Sequence, residues 1–167
     1  MARHGYAALV LLAGAGSLPL PLAAVTGTTF QVSASVVPGC LVVGGVSNYG
    51  SLNYGSFAAL STSPASTSLT SGVQLQCTPG VALTMSVDGG QNNASGRHLK
   101  LSSGTSLLAY QLYSDIGLSQ TVGVGQNINV AYSNPNNITL PLYGRVLLPG
   151  NLPAGTYSDV LQVQLSW

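Results

Sequence analysis

The chain has 167 residues, of which 46% are apolar and only 4% are Asp, Glu, Lys or Arg, against roughly a quarter charged in a typical soluble domain. That length suits one ordinary domain and is too short for two comfortable ones. Four cationic side chains cannot neutralise many phosphates, which argues against nucleic-acid binding; a formal charge of +1 argues against a charged disordered tail; and few groups remain to move protons or hold metals.

Met1-Ala2-Arg3-His4 is a short basic start. An Ala- and Leu-rich apolar run follows over residues 6–15, then a stretch over 18–24 that carries two prolines and ends in small residues. This order reads as a secretory signal peptide over residues 1–23, cleaved after Ala23 or Ala24. A membrane-spanning helix needs about 20 apolar residues without such breakers. No later stretch supplies them, so no stable membrane insertion is expected. In the mature chain Arg97, Lys100 and Arg145 balance Asp88, Asp115 and Asp159.

Soon after the cleavage site, Phe30, Val32, Ala34 and Val36 alternate with Gln31, Ser33 and Ser35. Strict alternation is the pattern of a half-buried strand, and a free N-terminus frays unless it docks. Two readings stand at this point. The segment is the first strand of its own sandwich, or it is a strand meant for the exposed sheet edge of a neighbour.

Cys40 and Cys77 are the two cysteines. An even count in an exported chain suggests a disulfide. A zinc site would need three or four ligands, with only His98 left to join, and a catalytic thiol would need an activating base. Between the cysteines, Asn48-Tyr49-Gly50 and Asn53-Tyr54-Gly55 form a local echo, read as two turns around a short strand. Residues 56–72, rich in Ser, Thr, Ala and Pro, read as a long loop.

The rest of the chain keeps a period of two. Val73, Leu75 and Cys77 alternate with glutamines. Val81, Leu83, Met85 and Val87 follow, then Leu108, Tyr110 and Leu112, then Ile128, Val130 and Tyr132, then Ile138, Leu140 and Leu142. Leu161, Val163, Leu165 and Trp167 close the chain between Gln162, Gln164 and Ser166. Turn clusters separate these runs, among them Thr78-Pro79-Gly80, Asp88-Gly89-Gly90 and Leu148-Pro149-Gly150. No segment has helical apolar spacing. Many short, regularly spaced strands predict an all-β sandwich. Residues 160–167 carry no charge, so this strand lacks the charged side chains that guard open edges in soluble monomers.

Chemistry has few candidates. His98 is the only histidine of the mature chain, and Asp88 with one of many serines would complete a triad on paper. No Gly-x-Ser-x-Gly elbow is present, and a lone histidine after a turn is ordinarily solvated. Asp88-Gly89-Gly90 lacks the spaced acidic ligands of a calcium loop. Asn93-Ala94-Ser95 and Asn137-Ile138-Thr139 match the glycosylation pattern, which arises readily by chance in such a composition. Tyrosines on strands line a sugar site in some folds and more often serve as core residues with a wet hydroxyl. The expectation is a non-enzyme with no metal and no cofactor.

Taken together the landmarks resemble the spore coat protein U domain of archaic (Csu-type) chaperone–usher pilins. The resemblance rests on Ala24-Val25-Thr26-Gly27 and the strand after it, Cys40, Leu52-Asn53-Tyr54-Gly55, Cys77, Val87-Asp88-Gly89-Gly90, and Arg97. It continues through Leu108-Ala109-Tyr110-Gln111-Leu112-Tyr113-Ser114-Asp115, Tyr143-Gly144-Arg145 and Gly155-Thr156-Tyr157-Ser158-Asp159. It implies an immunoglobulin-like β-sandwich over residues 39–167 that lacks its final strand and receives one from a neighbouring subunit. It also implies a donor segment over residues 24–38, with Phe30, Val32, Ala34 and Val36 filling the groove, and a groove edge at Leu161, Val163, Leu165 and Trp167. The Cys40–Cys77 bridge would lock the split sandwich. The partners implied are a periplasmic chaperone, an outer-membrane usher and neighbouring pilus subunits, with export through the periplasm to the cell surface. One domain plus a donor strand resembles a shaft or adaptor subunit in adhesion or biofilm formation. The alternative is a secreted spore-coat or cell-surface β-sandwich that is complete in itself. N-terminal sequencing of exported protein is expected to read from Ala24 or Val25; a start at Met1 would overturn the secretion reading.

Overall fold

A computed structural model describes residues 31–44, 48–70 and 74–167. The segment expected to be a signal peptide, the start of the expected donor segment with Phe30, and Val73 lie outside these residues. The chain divides into two units, residues 1–35 and 36–167. In the first, Gln31–Ser35 are exposed and belong to no strand.

The second unit is built from ten short strands among the described residues, every paired neighbour antiparallel. β4 (Leu83–Val87) is the clearest product of the alternation: Leu83, Met85 and Val87 are buried while Thr84 and Ser86 are half-buried. It is the middle of a three-stranded sheet, flanked by β7 (Ile128–Val130) and β10 (Val163–Ser166) in the order β10-β4-β7. A five-stranded sheet lies in the order β2-β8-β6-β5-β9. Its strands are β2 (Pro64–Ser68), β5 (His98–Leu101), β6 (Leu107–Tyr113), β8 (Tyr143–Leu147) and β9 (Tyr157–Ser158). β1 (Cys40–Val43) and β3 (Gln74–Cys77) form a separate ribbon. Leu108, Tyr110, Leu112 and Val146 of the larger sheet share one buried cluster with Leu83, Met85, Val87 and Val130 of the smaller. Two sheets over one core make a β-sandwich.

Three expectations from the sequence are corrected. Residues 56–72 are not all loop, because β2 lies within them, paired along its length with β8 from Pro64↔Leu147 to Ser68↔Tyr143. Only Ala65 of β2 is buried, so the strand carries almost no apolar signal and exists because β8 offers it an edge. Residues 138–142 alternate in burial as expected, with Ile138, Leu140 and Leu142 all buried, yet they are no strand. Pro141 has no N–H to give a ladder, and Ile138 makes only an isolated bridge to Leu75. The ladder begins one residue later, at Tyr143. Lastly, His98, expected to be solvated after a turn, opens β5 and is half-buried.

Cys40 and Cys77 are bonded as a disulfide and face each other in the β1–β3 register. Thr78 N–H donates to Gly39 O at 2.8 Å beside them. The bridge closes a loop of 37 residues in sequence separation. The paired variant Cys40→Ala/Cys77→Ala is expected to lose about 3–4 kcal/mol by the chain-entropy relation, read as a lower urea midpoint with a steeper slope, because the freed unfolded chain exposes more surface. A midpoint equal to the parent's would show that the bridge does not constrain the unfolded chain.

Candidate functional site

β10 lies at the edge of its sheet: β4 pairs with it on one side and no described strand pairs on the other. Leu161, Val163 and Leu165 are half-buried and pack against the core, while Gln162, Gln164 and Ser166 are exposed. Trp167 is 60% exposed. Half-burial of three inward aliphatic residues beside an unpaired backbone edge marks a core left open along one side. Of the residues expected at the groove edge, Val163 and Leu165 lie on β10 and alternate in burial with Leu161 just ahead of it, while Trp167 follows the strand and is largely exposed.

The open side is a groove of about 680 Å³. One wall is the chain at 159–163. The other is the 48–54 segment with Tyr49, Leu52 and Tyr54, and Leu69, Leu99, Tyr110 and Leu142 lie between them. The 48–54 wall was legible only as an echo. Asn48 Oδ1 accepts from Gly50 N–H and Asn53 Oδ1 from Gly55 N–H, both at 2.9 Å. These are Asx turns, and between them Ser51 pairs both ways with Thr70. The echo is thus two turns around a bridge, and its tyrosines line the groove.

Sequence reasoning gave no site role to the polar cluster at the groove's end. The chain leaves the five-stranded sheet after β9 and enters the three-stranded sheet at β10, and Asp159 stands at this crossing. Its Oδ2 accepts from the Tyr110 hydroxyl at 2.8 Å. Its Oδ1 accepts from Gln91 N–H at 2.9 Å, Asn92 N–H at 3.2 Å and Asn92 Nδ2 at 3.0 Å. Gly90 is required here. It has φ +79°, and a Cβ would overlap the Asp159 carboxylate. Asp88 Oδ1 accepts from Gly90 N–H at 3.0 Å and Gln162 N–H at 2.9 Å, so the expected turn also anchors the start of the edge strand.

Arg97 is the buried charge that holds this end together, at 5% exposure. Nε donates to Asp88 O at 2.8 Å, Nη1 to Val122 O at 2.6 Å, and Nη2 to Val87 O at 2.8 Å and Gly123 O at 3.1 Å. Burial pulls the guanidinium below its ordinary range, opposed by Tyr110, Asp88 and Asp159. Burial, aided by the bond to Asp159, pushes the Tyr110 hydroxyl well above the usual tyrosine range. In the sequence Arg97 stood out only as a landmark of the family resemblance and as one of few charges in the chain.

The triad drawn on paper does not assemble. His98 Nδ1 lies 2.8 Å from Gly96 O, and the Asp88 carboxylate is occupied by backbone N–H groups. Among the described residues no cluster of three or more metal-ligating side chains exists, and no helix is long and apolar enough to cross a membrane. Of the expected donor residues, Val32 is 81% and Val36 86% exposed, and Ala34 is exposed as well.

The model of the family described as Spore Coat Protein U domain matches residues 26–164. No curated protein matches the chain. Among solved structures, the chain is similar to one in the CsuC–CsuE chaperone–tip adhesion subunit pre-assembly complex from the archaic chaperone–usher Csu pili of Acinetobacter baumannii. The identity is 18%, over 79% of this chain and 40% of that one, with a TM-score of 0.50. A second similar structure is that of a chaperone–tip adhesin complex described as vital for synergistic activation of CFA/I fimbriae biogenesis. It matches at 19% identity, over 77% of this chain and 41% of that one, with a TM-score of 0.44. This chain spans about two-fifths of the length of the solved chains it matches. At 18% identity the first shares the fold.

Truncating the guanidinium would remove four bonds and take the charged donor from Asp88 O and Val122 O, while Val87 O and Gly123 O keep the Gly125 and Gln126 amides; bonds to charged donors contribute about 1.5–3 kcal/mol each. Arg97→Ala is expected to lower stability by at least about 3 kcal/mol. Arg97→Lys keeps the charge but not the fork of donors and should recover less than half of that loss in urea unfolding. Full recovery with lysine would show that charge alone is what the site needs.

Proposed function

The chain belongs to the Spore Coat Protein U domain family, and from that premise we propose that it is a structural subunit of a bacterial surface pilus, assembled by the chaperone–usher pathway. The observation that carries this reading is the unpaired edge of β10 beside an open apolar groove. A strand laid along that edge would satisfy its backbone groups, and alternate side chains would enter the groove. The segment over residues 24–38 has the required pattern. Laid out as a strand, Phe30, Val32, Ala34 and Val36 would share one face, and the three of these that are described are exposed in the single chain.

In this reading a periplasmic chaperone first lends a strand to Leu161, Val163, Leu165 and Trp167. The usher then exchanges that strand for the N-terminal segment of the next subunit. The chain acts as a shaft or adaptor subunit, exported through the periplasm to the cell surface, where the fibre serves adhesion or biofilm formation. It performs no catalysis, a reading supported by the engaged His98 ring and Asp88 carboxylate. A secreted coat or surface sandwich, complete in itself, is the alternative outcome of the test.

Burying one Phe and two Val side chains contributes about 5–9 kcal/mol before ordering costs. Two forms of the mature protein decide the matter: one lacking residues 24–38, and one with that segment re-attached after Trp167 through a flexible linker. The re-attached form is expected to be a monomer that unfolds at least about 10 °C higher by circular dichroism, and the deleted form to aggregate. A deleted form that is already a stable monomer would establish a complete sandwich and the coat or surface role.

A further inference from the structure

Two motifs singled out in the sequence meet in space. Tyr54, from Leu52-Asn53-Tyr54-Gly55, lines the groove. Its hydroxyl oxygen is buried and has no hydrogen-bond partner among the described residues, and burial raises its pKa well above the usual tyrosine range. Gly144, from Tyr143-Gly144-Arg145, is a buried residue of β8. A Cβ added at Gly144 would overlap the Tyr54 hydroxyl and stand 3.0 Å from Cζ and 3.4 Å from Cε1. Gly144 is not among the glycines with positive φ, so the backbone does not demand glycine there. The missing side chain makes room for the tip of Tyr54.

Which side would yield to an added methyl follows from the pairing. β8 is an inner strand. Gly144 stands opposite Thr67 of β2 and Leu112 of β6, and neighbours on both sides fix it. Tyr54 is carried by a segment held by the Ser51–Thr70 pair and two Asx turns, and one face of its surroundings is the open groove. The tyrosine would therefore move, and the groove is the open space beside it.

We propose that the seating of Tyr54 on Gly144 sets the width of the groove and so decides whether an incoming strand fits. The inference rests on the strand-acceptor reading above. Both are positioning residues: Tyr54 belongs to the 48–54 wall, and Gly144 lets the tip of its ring sit back out of the space between the walls. Overpacking a site of this kind is destabilising, and here the strain would fall on the space an inserted strand needs.

The test uses the full chain at low concentration with an excess of a fluorescent peptide of residues 24–38. Uptake is read by anisotropy, and thermal unfolding is followed on the same samples. Gly144→Ala is expected to weaken uptake by at least about tenfold while the folded fraction stays near the wild-type value. Tyr54→Phe, which keeps the ring, should take up peptide as the wild type does. Tyr54→Phe/Gly144→Ala should return to within about threefold of it, because the atom that collides is gone. Uptake by Gly144→Ala equal to wild type, or a double variant as impaired as the single one, would overturn the proposal. If Gly144→Ala does not accumulate folded, Tyr54→Trp takes its place. It thickens the wall while leaving the β8 sequence unchanged and should lose uptake, and normal uptake by it overturns the proposal equally. A wild-type chain that takes up no peptide overturns the strand-acceptor reading itself.

Discussion

A single buried guanidinium ties the layers of this sandwich together. Arg97 precedes β5 in the larger sheet and donates to the carbonyls of Val87 and Asp88 at the end of β4 in the smaller one. It also holds the Val122–Gly123 turn. In a chain with 4% charged residues there is little other electrostatic organisation. An ionised donor that satisfies four carbonyls is far stronger than the neutral bonds around it. The groove depends on this tie, because Asp88, whose carbonyl it holds, accepts the amide of Gln162 at the start of the edge strand.

Asp159 extends the same arrangement. It stands where the chain crosses between sheets and joins Tyr110 on the floor of the larger sheet to the wall that becomes β10. The groove therefore has one fixed end, braced by Arg97, Asp88 and Asp159. Along the rest of its length the wall is ordinary uncharged strand. The opposite wall, at residues 48–54, is held by local turns and one bridge. A braced end with lightly held walls suits a site that must stay open until something lies in it. The uncharged edge has no Lys or inward carboxylate to refuse a partner.

Much of this was legible before any coordinates. The alternation of Leu83, Met85 and Val87, of Leu108, Tyr110 and Leu112, and of Leu161, Val163 and Leu165 gave the faces correctly, because a side-chain period of two is a local property of extended backbone. Other parts were not legible, for identifiable reasons. β2 is Pro64-Ala65-Ser66-Thr67-Ser68, with one small buried residue, and β8 recruits it by backbone hydrogen bonds that leave no side-chain pattern in the sequence. Ile138, Leu140 and Leu142 are buried without forming a ladder, because burial and backbone pairing are separate requirements and Pro141 blocks the second.

The sequence by itself determined the fold class, the inward faces of most strands and the disulfide partners, since these follow from local periodicity and from there being two cysteines. Tertiary structure alone decided which edge stays open, which residues wall the groove, and why Arg97, Asp159 and Gly144 stand where they do. Those facts depend on strand order and on contacts between residues as distant as Tyr54 and Gly144, or Tyr110 and Asp159. No local rule of spacing encodes them, because chain crossings between sheets are set by packing of the whole core.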